Sequence, residues 1–351
     1  MCGIAGLSVG CPLESICSNR SWTPAQTAPS TKPSTLERQW DKAASVRSKP
    51  RRFVTGEKDS QFFPEHLVPV LNTQAAVELN PEVRHSLATQ HLYRYLDFTL
   101  LLETLVVNKV LLGIALGRLG FPASRGQRLD AMRMYTDEAY HATAAMDIGF
   151  QVEGASQINN MTAGHLEQEF LMRLHKIKEA VGDPQLASLV ELSFVIASET
   201  LISGNLSDVG GSNVVDEGVR SVITDHAKDE GRHHGFFYRY LKDLWGHLNE
   251  RERQTVGWAM PQLIHAFFAP EISSVERELT QYGVSASLRE ELLAEAYSPE
   301  RIQESARSSS SHIVKYMTDL GSLESPEIEE EFEKHGLLTH AEARSVEGAT
   351  A

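Results

Sequence analysis

Phe98-Thr99-Leu100-Leu101-Leu102-Glu103-Thr104-Leu105-Val106-Val107 sets one carboxylate in the middle of an apolar run. At the three-, four- and seven-residue spacings of a helix, the neighbours of Glu103 are Leu96, Thr99, Leu100, Val106, Val107 and Val110, so a helix here buries the acid. An unpaired carboxylate in such a place costs several kcal/mol or takes up a proton. A metal ion turns the same burial into coordination. Residues 191–203, ELSFVIASETLIS, repeat the feature: Glu199 has Ile196 and Ile202 at three residues and Val195 at four. A buried Arg or Lys would account for either acid alone, but the two together favour metal.

Working outward, each lone Glu is followed by an E-x-x-H, Glu138-Ala139-Tyr140-His141 and Glu230-Gly231-Arg232-His233, which puts a carboxylate and an imidazole one turn apart on one helix face. The motif alone is weak, since Glu82-Val83-Arg84-His85 also matches; that one is set aside because it follows an Asn80-Pro81 helix start, where a first-turn acid has a capping role. The spacing raises the other two. The separations are 138 − 103 = 35 and 230 − 199 = 31 residues, each the length of one helical hairpin. Four helices then bring Glu, Glu-x-x-His, Glu and Glu-x-x-His to one centre, the ligand plan of ferritin-like di-iron and di-manganese carboxylate proteins. The set is oxygen-rich and free of thiolate, which favours iron over zinc and leaves manganese open. His226 lies four and three residues from Glu230 and His233, on the same face, and reads either as a buried core histidine or as a third imidazole ligand. His234 lies about 100° farther round and reads as a neighbour. Asp137, Asp225 and Asp229 are candidates to accept the outer imidazole hydrogens.

The rest of the chain fits an all-α, ferritin-like helical bundle with additional helices. Helical periodicity runs near 83–119, 127–158, 163–181, 185–208, 213–247 and 250–268, with shorter helices to 318. Breakers divide them: Gly120 and Pro122, Gly182-Asp183-Pro184, Gly210 to Asn213, and the cap-like Ser298-Pro299. Residues 12–50 are rich in Pro, Ser, Thr and Lys without periodicity. The expected organisation is a mobile N-terminal arm at 1–58, the bundle at 59–320 and a peripheral acidic tail at 321–351.

The 351 residues carry a formal charge of −14, which argues against a nucleic-acid surface. The three cysteines, Cys2, Cys11 and Cys17, are too few and too local for a disulfide framework and suit a reducing cytoplasm. Leu96 to Leu116 is apolar but contains Asp97, Glu103, Asn108 and Lys109, so it reads as a buried helix and no membrane is expected. The N-terminus lacks a basic leader, so no signal peptide is expected. The opening Met1-Cys2-Gly3-Ile4-Ala5-Gly6 is similar to the start of glutamine amidotransferases of the asparagine synthetase type, but no sheet-rich domain follows and Cys2 stays out of the site.

With the full spacing laid out, the sequence resembles the di-iron arylamine N-oxygenases, the family of p-aminobenzoate N-oxygenase, over about residues 60–320. The resemblance implies seven ligands, Glu103, Glu138, His141, Glu199, His226, Glu230 and His233, and it selects the ligand reading of His226. It also implies that Tyr95, Asn205 and Arg307 bind a substrate carboxylate. The cofactors implied are two iron ions, with dioxygen as co-substrate. The reaction implied oxidises an aromatic amine, an aminoaryl carboxylate, to a hydroxylamine, nitroso or nitro product through a peroxo-diferric intermediate, in secondary metabolism that builds nitro groups. The expected partners are the amine and an external electron donor, with a homodimer as the candidate assembly. The alternatives are a ferritin-like desaturase or C-hydroxylase and, outside enzymes, an iron-storage or helical interaction protein.

Overall fold

The computed structural model describes residues 35–56, 61–162 and 168–338, save the side chains of Thr35, Glu37, Arg38 and residues 203–208. Two short helices come first, α1 (Thr35–Ala43) and α2 (Ser45–Ser48). The bundle is built from α3 (Pro81–Leu101), which runs through a π segment (Leu102–Val107) into α4 (Asn108–Leu116), and from α5 (Arg125–Ser156), α7 (Pro184–Gly210) and α8 (Glu217–Trp245). Between the two hairpins lies α6 (Glu169–Ala180); α9 (Glu250–Phe267) covers α7, and α10 (Ile272–Gln281), α11 (Ala286–Ala296), α12 (Pro299–Ser309), α13 (Ser311–Asp319) and α14 (Pro326–Lys334) close the chain. Among the described residues, β pairing is limited to one bridge between Gln61 and Val215.

Local chemistry sets the ends of these helices. Asn80 caps α3 by accepting from the Val83 amide at 2.8 Å, with Pro81 in the first turn. Gly117, at φ 67°, ends α4 in the left-handed conformation, and the Arg118 amide closes the turn onto the Gly113 carbonyl. The first long helix therefore stops three residues before the Gly120 breaker. Ser124 and Gln127 form a reciprocal capping box at the start of α5, and Asp216 caps α8 through the Gly218 and Val219 amides. Asp183 and Ser298 cap α7 and α12 as their sequences suggest. The expected start of α6 at residue 163 falls outside the described residues.

Two spans, Pro81–Leu116 and Pro184–Ile202, are long and apolar enough to cross a membrane, yet 61% and 72% of their apolar windows are buried in the bundle. Their greasy faces form the core, and they are the spans that carry Glu103 and Glu199. Pairing of α3/α4 with α5, of α7 with α8, and of α5 with α8 directs one face of each long helix to a common centre.

Helical structure reaches past both expected ends of the bundle. The arm expected to be mobile is folded from Thr35 onward: α1, α2 and the extended residues to Gly56 lie along α5 and α8, with Leu36 and Ala44 buried. Its anchors are largely polar, which is why an apolar-periodicity reading passes over it. The expected acidic tail contains α14, whose Ile328 and Phe332 are buried, with Ile328 packed at Gly257 of α9. Residues 1–34 and 339–351 lie outside the described residues.

Candidate metal centre

Glu103 stands at the second position of the π segment, where the helix widens by one residue. Glu138 and His141 come from the middle of α5, Glu199 from α7, and His226, Glu230 and His233 from one face of α8. All seven are buried. Their atoms form two overlapping groups, each spanning no more than 4.8 Å: Glu138, His141, His226 and Glu230 in one, and Glu138, Glu199, Glu230 and His233 in the other. Glu138 and Glu230 belong to both. Glu103 joins the first group, with Oε1 at 3.7 Å from His226 Nε2.

The imidazoles are aimed as ligands are. His141 Nδ1 lies 2.7 Å from Glu138 Oε2, and His233 Nδ1 lies 2.6 Å from Glu138 Oε1 and 3.3 Å from Glu230 Oε1. The outer nitrogens meet acids on the opposite helix: His141 Nε2 donates to Asp229 at 3.0 Å, and His233 Nε2 donates to Asp137 at 3.1 Å. Each acid sits beside one E-x-x-H in sequence and serves the ring of the other. Because an ionised Asp only accepts, this arrangement puts a hydrogen on Nε2 and leaves Nδ1 facing the centre, where its lone pair would serve a bound metal. Asp225 takes no part in this and instead holds Arg52 in a two-pronged pair at 2.6 and 3.0 Å.

The centre is electrostatically incomplete by itself. Burial, then the surrounding carboxylates, push Glu103 and Glu199 well above the usual carboxylate range. Glu230 and Glu138 are held low: against the burial penalty, His233 dominates, helped by His226 at Glu230 and by His141 at Glu138. His233 is raised despite its burial by Glu138 and Glu230, while burial, with His141 adding, lowers His226. Buried atoms of Glu103, Glu138, Glu199, His226, Glu230 and His233 make no well-formed hydrogen bond and face only one another at ion-pair distance. Orphaned donors and acceptors of this kind are rare in a native interior. Four carboxylates (4 × −1) and two divalent ions (2 × +2) balance to zero, so the residues present fit a two-metal group.

A cavity of about 400 Å³ opens against the His141 and His226 side of the centre. Its walls are mainly apolar, with Leu96, Ala144, Val222 and Ile223 among them, and Ser45, Lys49, Arg51 and Arg52 of the N-terminal segment also line it. Over residues 33–321, a span that takes in the seven residues and most of this segment, the chain matches the family described as P-aminobenzoate N-oxygenase AurF. The chain belongs to this family. No curated protein matches it.

Among the residues through which a p-aminobenzoate N-oxygenase is expected to hold a carboxylate, Tyr95 lines the cavity, with its buried hydroxyl beside Thr99. Burial pushes that hydroxyl up, so it remains a donor at neutral pH. Asn205 lies on α7, but its side chain is outside the described residues. Arg307 is an exposed residue of α12 paired with Glu304 and is not among the residues that line this cavity. Its position in ESARSSSSH gives no apolar face that would turn it inward. His234 also points away, bonded through Nε2 to the Tyr316 hydroxyl. Sequence reasoning missed Trp40, Ser45, Lys49 and Arg52. Leu36, Trp40 and Ala44, spaced by four, were the available signal of a helical stripe.

Proposed function

We propose that this member of the N-oxygenase family is a di-iron, O2-dependent enzyme that oxidises the amino group of an aminoaryl carboxylate. The observation that carries the reading is the pair of overlapping ligand groups sharing Glu138 and Glu230, open on one side to an apolar cavity. When bound, the iron pair supplies reduction of dioxygen and delivery of one oxygen atom to nitrogen. The first stage balances as amine plus O2 plus two electrons and two protons giving hydroxylamine plus water, with an external donor supplying the electrons. Later stages lead to nitroso and nitro products.

This chain's own residues have four tasks. Glu103, Glu138, Glu199 and Glu230 match the charge of two divalent ions, and His141, His226 and His233 complete the donor set. Asp137 and Asp229 keep two of the rings in the ligating tautomer. Leu96, Ala144, Val222 and Ile223 exclude water from the reacting nitrogen, and the cavity volume suits one substituted ring. Tyr95, whose hydroxyl lies beside Thr99, offers a donor at the cavity wall. At the strap side, Arg51 is paired with Asp147 and Arg52 with Asp225, whereas among the described residues Lys49 has no ion-pair partner. Lys49 is the cation we assign to the substrate carboxylate, in the role first expected of Arg307.

The test is metal analysis combined with an arylamine panel. About two irons per chain are expected, with most of that content lost in Glu230→Ala. Carboxylate-bearing arylamines should bind about tenfold or more tightly than their neutral counterparts, on the scale of one charge-assisted hydrogen bond, and Lys49→Ala should erase the preference. Iron-free protein with full activity, or only desaturated or C-hydroxylated products, would overturn the reading.

A further inference from the structure

The segment from Thr35 to Gly56 crosses the outside of α5 and α8 and touches both acids that orient the imidazoles. The indole Nε1 of Trp40 donates to both oxygens of Asp137, at 2.9 and 3.0 Å. The backbone N–H of Ser45 likewise spans both oxygens of Asp229, at 3.3 and 3.1 Å. The same two acids accept from His233 and His141. The pattern is therefore strap donor, acid, ring, built twice. Asp137 and Asp229 are each 0% exposed, so water does not replace a lost donor.

We propose that this strap is a positioning element of the metal centre, in which Trp40 and the Ser45 amide fix the carboxylates of Asp137 and Asp229 and thereby the direction of His233 and His141. The proposal rests on the di-iron reading of the centre. A carboxylate bonded only to an imidazole turns about its terminal torsion, which is soft and broad. A donor shared between both oxygens on the far side removes that freedom, and the ring inherits the constraint. The strap is itself clamped: Ser45 Oγ donates to the Asp225 carbonyl at 3.1 Å, Arg52 pairs with Asp225, and Arg51 pairs with Asp147. Arg232 also pairs with Asp229, so Asp229 keeps a second close tie when the strap contact is lost, whereas Asp137, which Arg232 attracts as well, takes its hydrogen bonds from Trp40 and His233. Trp40 is the more consequential of the two.

Two substitutions remove the donors with little change of shape. Trp40→Phe keeps an aromatic ring without the N–H. Ser45→Pro removes the backbone N–H at the first residue of α2, where proline is tolerated, after Ala44 at φ −57° and ψ 133°, a conformation compatible with a following proline. The readouts are the rate at which a ferrous chelator strips the reduced, iron-loaded protein and the visible absorption of the cobalt(II)-substituted protein. Neither depends on turnover. Trp40→Phe removes a group one bond beyond the outer partner of His233, so it should release metal up to about tenfold faster, the low end of the cost of losing an outer partner itself, and should shift the cobalt bands. Ser45→Pro should do the same to a smaller degree. Ile328→Ala, remote at the α9 and α14 contact, should lower the melting temperature with chelation unchanged, which separates ring positioning from general loosening. Wild-type-like chelation and cobalt spectra in both strap variants would overturn the proposal. A wild-type protein that binds no metal would overturn the metal reading and the strap's role with it.

Discussion

Glu138 and Glu230 each belong to both ligand groups, and each is drawn low by the imidazolium of His233, while Glu103 and Glu199 at the outside are pushed high by burial. Metal-free protein thus uses protons where metal would sit. The sign of the pH dependence follows from these directions. Glu103, Glu199 and His233 have raised folded values, so their contribution is complete below the unfolded values and is lost as pH rises through the folded ones. Glu138 and Glu230 have depressed folded values, and their contribution is complete above about pH 4.5 and lost only in acid. Chelator-treated protein should therefore melt progressively lower as pH rises above the ordinary histidine value of about 6.5, whereas the iron-loaded protein should not. Thermal melts across that range check this, and a metal-free melting temperature that climbs with pH would contradict it. The four Glu and the two E-x-x-H imidazoles were legible because burial and helical spacing are both local properties of sequence, whereas spacing left His226 open and the family resemblance chose its reading. The exchange of acids, Asp137 to His233 and Asp229 to His141, was not, because spacing reports one helix face and not which face lies opposite.

At the scale of elements, the π segment and the strap decide where ligands point. A periodicity of 3.6 predicts one continuous helix from 83 to 119, and the widened turn at Leu102–Val107 leaves no trace in a run that is apolar apart from Glu103 and Thr104. The helix breaks at Gly182-Asp183-Pro184 and at Ser298-Pro299 were legible because cap chemistry is carried by the residues themselves. The strap was hidden because its buried apolar residues are few and its remaining ties are to Asp137, Asp147, Asp216, Asp225 and Asp229. It passes so near α8 that a Cβ at Gly218 would meet the Phe53 carbonyl oxygen at 2.1 Å. Backbone cannot yield as a side-chain tip does. Gly218→Ala should therefore lift the strap, cost about 1–3 kcal/mol of stability and speed iron loss in the same preparation. Unchanged melting and chelation would show that the strap does not pack there as described.

For the molecule as a whole, the two most apolar spans are also the two that carry lone acids, Glu103 and Glu199. Core helices and a charged centre are compatible only when the charge is cancelled inside, which is why the ferritin-like plan was readable before any contact was known. What spacing could not supply was the substrate side. Arg307 lies at the surface, while the cations at the cavity come from residues 49–52, more than forty residues ahead of the first ligand and outside any motif. The most direct test of the whole account is a single turnover: anaerobically reduced, iron-loaded protein is mixed with an aminobenzoate and 18O-labelled dioxygen, and the product is read by mass spectrometry. An N-oxidised product that has gained one labelled oxygen at its nitrogen is the predicted result; unaltered amine, or oxygen on carbon alone, from protein holding two irons would contradict it.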